Sequence, residues 1–203
     1  VSIGGQDLVI ETGLLAMQAA GAVTVSYGDT TVFSAVTNTD TPREGIDFFP
    51  LQCEYREKFY ASGKFPGGFF KREARPTCKE ILTARMCDRP IRPLFPDGYY
   101  NDVQVNSMLI QADGTREADF LAVNAASAAL HISEIPFMGP IGAVRVGRVN
   151  GQFVLNPTQA QRKEGDLDLL YSGTADRFLM MEGGAKEIPE ADFLAALKFG
   201  QEC

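Results

Sequence analysis

The segment from Ala118 to Ile132 is rich in alanine and, wound at about 100° per residue, is apolar on nearly every side. A helix of that kind is buried rather than surface-lying, and the segments around it that can cover it read mostly as strands. Ala22-Val23-Thr24-Val25-Ser26 and Thr31-Val32-Phe33-Ser34-Ala35-Val36 are rich in β-branched residues and flank the turn signal Tyr27-Gly28-Asp29-Thr30. Phe48 to Tyr60 reads as another long strand, and Val103 to Ile110 as a further one. Asn150-Gly151, between Val144-Arg145-Val146 and Phe153-Val154-Leu155, is the strongest hairpin signal in the chain. Asp166 to Tyr171 and Phe178 to Met181 form a second antiparallel pair, and about Glu190 to Leu197 a final helix. No low-complexity linker interrupts this pattern. Residues 1–203 are therefore expected to form a single α+β domain, a mixed sheet with helices packed in layers.

A second feature concerns function. Phe69-Phe70-Lys71-Arg72-Glu73-Ala74-Arg75-Pro76 follows the flexible run Ser62-Gly63-Lys64-Phe65-Pro66-Gly67-Gly68. From Lys71 to Arg92 there are seven Lys and Arg against three acids, in a chain whose net charge is −7. Such a local contrast reads as a polyanion site on an otherwise acidic protein. Two adjacent rings leading into cations can present stacking faces to bases of any identity, each worth roughly 1–3 kcal/mol. The structural alternative is that one ring packs inward and the other outward.

Composition narrows the classes further. No apolar run reaches the roughly 18 residues of a membrane span, and no secretory leader is visible. The four cysteines lack CxxC spacing and the chain has one histidine, His131, which reads as a packed helical residue. Structural zinc and a disulfide framework are both disfavoured, and a reducing cytoplasm is the simplest compartment. The chain starts inside a strand and stops just after an apolar-periodic segment, which reads as a piece of a longer polypeptide.

Thr77-Cys78-Lys79-Glu80 fits a capping box and predicts a helix from Thr77, ended or kinked by Pro90 and Pro93. On it Cys78, Ile81 and Leu82 share one face with Arg85 and Arg89, while Lys79, Glu80 and Thr83 lie opposite. That face is expected to point to the core, so the two guanidiniums need a partner. Phosphate is the functional partner; an internal carboxylate such as Asp88, Asp113 or Glu117 is the structural one.

The run from Gly68 to Pro76, continued by Lys79-Glu80-Ile81-Leu82-Thr83-Ala84-Arg85 and Asp88-Arg89-Pro90-Ile91-Arg92-Pro93-Leu94-Phe95-Pro96, resembles the first RNase PH-like core of the bacterial polynucleotide phosphorylase family. The resemblance covers essentially the whole chain. It implies a ribosomal protein S5 domain 2-like α+β fold and a homotrimeric ring that degrades single-stranded RNA from its 3′ end with inorganic phosphate. It further implies RNA contacts at Phe69, Phe70, Lys71, Arg72 and Arg75, and puts Arg85 and Arg89 in a cleft shared with a second RNase PH-like core. Lys71 stands where the family's loop has arginine, which keeps charge but loses the planar fork, and Ala74 stands for the usual glycine.

In that family the chemistry, with its magnesium ion on paired aspartates, belongs to the second core, so no catalytic or metal residue is expected here. Asp166 and Asp168 resemble the acidic strand of a catalytic core and share a strand face. In an ungapped register the other metal aspartate falls at Arg162 and the lysine at Leu170, so the pair reads as a solvated strand edge. Asp113-Gly114-Thr115-Arg116 resembles the phosphate turn of catalytic cores; an ordinary turn with a helix cap is the alternative. Two other functions stay open: a self-sufficient RNase PH-like phosphorylase, and a non-catalytic RNA-binding ring subunit of exosome type.

Overall fold

The computed structural model describes residues 1–67, 69 and 72–203. Among the described residues, ten strands and four α-helices alternate in two blocks. The first block holds β1 (Ser2–Ile3), β2 (Gln6–Thr12), β3 (Gly21–Tyr27), β4 (Thr30–Asn38), β5 (Leu51–Glu57), α1 (Cys78–Ile91), β6 (Val103–Gln111) and α2 (Asp119–His131). The second holds β7 (Gly142–Val149), β8 (Gln152–Leu155), α3 (Gln159–Glu164), β9 (Leu167–Gly173), β10 (Phe178–Ala185) and α4 (Glu190–Glu202). The first sheet runs β1-β2-β3-β4-β6-β5, antiparallel except for the parallel pair β5 with β6; the second runs β10-β9-β7-β8, all antiparallel.

The alanine-rich helix lies between the two sheets, touching β3, β4 and β6 on one side and β7 on the other. Ala122, Val123, Ala125, Ala126, Ala129 and Leu130 have no exposed surface. Small side chains are what let two sheets approach one helix so closely. Its two internal polar residues tie it to the second sheet: Asn124 Nδ2 donates to the Ala143 carbonyl and its Oδ1 accepts from Ala143 N–H, while Ser127 Oγ accepts from Ile141 N–H. On β7 and β9 the alternation of strand side chains divides the core. Ala143 and Leu170 join the main cluster around α2, whereas Val144, Val146, Leu167, Leu169 and Tyr171 pack with Ala196 of α4.

Turn chemistry agrees with the sequence. Gly28, at φ 60°, serves the two-residue connection of β3 to β4, and Asn150 and Gly151, at φ 50° and 78°, connect β7 to β8 as a type I′ turn requires. Some boundaries differ. The strand expected over residues 48–60 is confined to Leu51–Glu57, because Lys58 leads into a 3-10 turn, Phe59–Ser62. Helix α1 takes Pro90 into its last turn rather than ending before it. His131 is helical but exposed. Helix α3, capped by Thr158 and Gln161, was not anticipated, being only six residues long.

The closeness of α2 to β3 gives a test. A methyl group built on Gly21 would lie 2.1 Å from the carbonyl oxygen of Ala129. Gly21→Ala should therefore push strand from helix and destabilise the fold by roughly 1–3 kcal/mol, read as a lower urea midpoint.

Candidate nucleic-acid interface

The basic stretch leaves the sheet at the end of β5 and returns as α1, and one carboxylate holds both ends. Glu80 Oε1 accepts from Glu57 N–H at 2.9 Å, and its Oε2 accepts from Thr77 N–H at 2.7 Å. Thr77 Oγ1 in turn accepts from Glu80 N–H, completing the capping box predicted from sequence. Burial pushes the Glu80 carboxyl up, but those amides and the Thr77 hydroxyl outweigh it and hold the group below its ordinary value. Between these anchors Phe69 is 93% exposed, and Arg72 and Arg75 are exposed as well. Phe70 and Lys71 lie outside the described residues.

Helix α1 corrects the direction of its predicted faces while keeping their membership. Cys78, Ile81, Leu82, Arg85 and Arg89 do share one side, and that side is exposed, whereas Glu80, Thr83, Cys87, Pro90 and Ile91 face inward. The inward face is held by the Glu80 anchor and by Cys87 and Ile91, both in the main core. The guanidiniums consequently need no buried partner. Arg89 meets Glu182 of β10 at 2.9 Å, a surface pair and none of the carboxylates anticipated, and Arg85 has no carboxylate partner among the described residues. Arg92 is structural: it holds Asp88 and donates to the Phe49 and Leu51 carbonyls at the open edge of β5.

Behind the helix runs a chain of ion pairs that sequence reasoning did not foresee. Lys79 bridges Glu57 and Glu117, Arg162 bridges Glu117 and Asp168, and Arg145 bridges Asp168 and Asp119. Arg145 and Asp119 are both buried. Asp168 is thus a shared acceptor for two guanidiniums and not the solvated strand edge expected; Asp166 departs to Arg148 instead. Burial raises Asp168, but the hydrogen bonds and charges of Arg162 and Arg145 outweigh it and hold its carboxyl low. Glu117 behaves likewise through Lys79. With its oxygens engaged by Arg145 and Arg162, Asp168 does not fit a divalent metal. The one available signal was Arg145 itself, a cation inside an otherwise apolar strand run.

The turn at 113–116 closes on itself. Asp113 accepts from Thr115 N–H at 2.8 Å and from the hydroxyls of Thr115 and Thr30. Arg116 donates to the Asn156 carbonyl and lies over the Tyr27 ring. The amide that would greet an anion is taken by the turn's own carboxylate.

The chain matches the 3′ exoribonuclease family, domain 1, over residues 4–136 and domain 2 of the same family over residues 139–203. It is 55% identical over 201 residues to the polyribonucleotide nucleotidyltransferase of Akkermansia muciniphila, covering 99% of this chain and 28% of that protein. The enzyme of the same name from Rhodospirillum centenum is 56% identical over 197 residues, covering 97% and 28%. The chain thus spans a little over a quarter of the length of these curated relatives. Among solved structures, rice Rrp46 superposes with a TM-score of 0.79 at 15% identity, covering 97% of this chain and 88% of that one. A chain of the Archaeoglobus fulgidus exosome with RNA bound to the active site gives 0.75 at 20%, covering 98% and 85%. Likeness at that identity speaks to the fold alone.

Removing Arg145 would leave the buried Asp119 without a cation, while Asp168 would keep Arg162 alone. Arg145→Ala should cost about 3–5 kcal/mol, measured by urea unfolding. Because Asp168 and Glu117 are held low in the folded state, their stabilising contribution is present above the ordinary carboxylate range and is lost as pH falls through their folded values. Unfolding midpoints followed downward from about pH 5 should fall steeply, and more shallowly in Arg162→Gln, where Asp168 is less depressed.

Proposed function

Since the chain belongs to the 3′ exoribonuclease family, with the α+β fold of RNase PH-like proteins, we propose that it is the first, RNA-gripping core of a polyribonucleotide nucleotidyltransferase. The parent enzyme, in this reading, shortens single-stranded RNA from its 3′ end. Inorganic phosphate attacks the terminal internucleotide phosphorus, the bond to the preceding 3′ oxygen breaks, and a nucleoside diphosphate leaves. The observation that carries the reading is identity above 50% along essentially the entire chain to enzymes of that name.

The site residues divide by task. Phe69, Phe70, Lys71, Arg72 and Arg75 hold the strand by ring stacking and charge. Arg85 and Arg89 lie on the outward side of α1, where a second RNase PH-like core of the same polypeptide covers them and completes a composite cleft. Arg85 is available to a phosphate at once, and Arg89 can exchange Glu182 for it at little cost, since an exposed ion pair contributes about 1 kcal/mol or less. Magnesium is assigned to the second core, because Arg162 and Arg145 already neutralise Asp168 here. Residues 1–203 act as one folding unit, three copies of the parent close into a ring, and the compartment is the cytoplasm. No helix among the described residues is long and apolar enough to cross a membrane.

Phosphorolysis of poly(A) with magnesium and phosphate tests the assignment. The 203-residue segment should release no ADP while the full-length protein does; release by the segment at full-length rates would remove the catalytic half from elsewhere. In the full-length protein Arg85→Ala should lower kcat/KM about tenfold or more with an unchanged melting temperature. A collapsed melting temperature would instead make Arg85 a structural residue.

A further inference from the structure

A cavity of about 420 Å³ opens beneath the loop, between the end of β5 and the start of α1. Its size falls within the range of roughly 300–1,000 Å³ usual for small-molecule sites. Arg56 of β5 and Arg72 and Arg75 of the loop converge on it, and the Phe59 ring, 45% exposed, forms part of its wall. Three carboxylates also border it, and each is already engaged. Glu73 pairs with Lys58 at 2.6 Å, Glu57 with Lys79 at 2.8 Å, and Glu80 accepts from the Thr77 and Glu57 amides. Arg56, Arg72 and Arg75 stand in no salt bridge among the described residues, and Arg56 lies near enough to Glu80 for its charge to help hold that carboxyl low. Arg56 is moreover half-buried, so its charge faces the cavity with less water to screen it.

An aromatic wall beside uncommitted guanidiniums is suited to one ligand chemistry, a flat ring carrying a phosphate. We infer that this cavity is a one-nucleotide subsite for single-stranded RNA, in which Phe59 stacks on a base and Arg56, with Arg72 and Arg75, holds the adjoining phosphate. It rests on the RNA-gripping reading above and deepens it. The exposed loop residues meet the strand first, and the cavity below fixes one nucleotide in a defined place. That gives the grip a register, which stacking on an exposed loop alone does not supply. Phe59 and Arg56 are the new assignments; neither belongs to the aromatic-basic run from Phe69 to Arg75.

The test is binding of a single-stranded oligonucleotide carrying 2-aminopurine, on the full-length protein, with affinity, salt dependence and fluorescence quenching measured together. Phe59→Ala should weaken binding about fivefold or more and abolish the quenching of one base, with the salt slope intact. Phe59→Tyr, which keeps the ring, should bind normally, and Phe59→Leu should behave as Phe59→Ala; this comparison separates stacking from any disturbance of the fold. Arg56→Gln should reduce the slope of log affinity against log salt by about 0.7, one phosphate on a single strand. If Phe59→Ala and Arg56→Gln bind as the parent while Phe69→Ala or Arg72→Gln bind weakly, the subsite is wrong and the RNA-gripping loop stands. If all four bind as the parent, both readings fall.

Discussion

A guanidinium buried between two carboxylates fixes the relation between the halves of this fold. Arg145 lies on β7, Asp119 opens α2 and Asp168 belongs to β9, so this side chain, with Asn124 and Ser127, specifies how the second sheet meets the central helix. Apolar burial supplies most of the adhesion but is tolerant of sliding; a planar fork with two acceptors is not. Arg162 and Lys79 extend the same constraint to α3 and α1. The cost falls at the buried end: without Arg145, Asp119 is left as an uncompensated buried charge.

In the proposed reading, the same arrangement suits this chain to holding a polyanion and not to activating one. Metal-assisted phosphoryl chemistry needs carboxylates whose negative charge is available to a cation. Here the protein's own cations have taken that charge, and the turn at Asp113 has likewise turned its carboxylate inward upon its own amide. Beside the loop and on the outward side of α1, Arg72, Arg75 and Arg85 stand in no salt bridge among the described residues.

Much of this was legible in the residues. Hairpins written as Gly28-Asp29 and Asn150-Gly151 are local, and local chemistry decides them. The buried helix followed from an all-round apolar surface, and the capping box at Thr77 from four adjacent residues. The orientation of α1 was not legible, because a stripe of Cys78, Ile81 and Leu82 looks identical whether it faces a core or a surface awaiting a neighbour. The longer range contacts were also hidden: Arg145 reaches Asp119 across 26 positions, and Arg89 reaches Glu182 across 93. Phe59 lay outside the basic run, and only folding brought it to the same cavity as Arg72 and Arg75.

The double grip of Glu80 carries a consequence for how such a protein can vary. By binding the last amide of β5 and the first of the helix cap, it ties a knot at the base of the loop, and the 19 residues between Glu57 and Thr77 hang from it as a closed ring. The closure entropy of such a ring rises only slowly with length, by about 0.6 kcal/mol per doubling. Beyond the 3-10 turn, whose Ala61 lies in the main core and bonds to Ala112, positions 64–76 can therefore be exchanged, inserted or lost with little strain reaching the sheet or helix. The surface proposed to meet the polymer is free to drift in composition while the frame below it stays still.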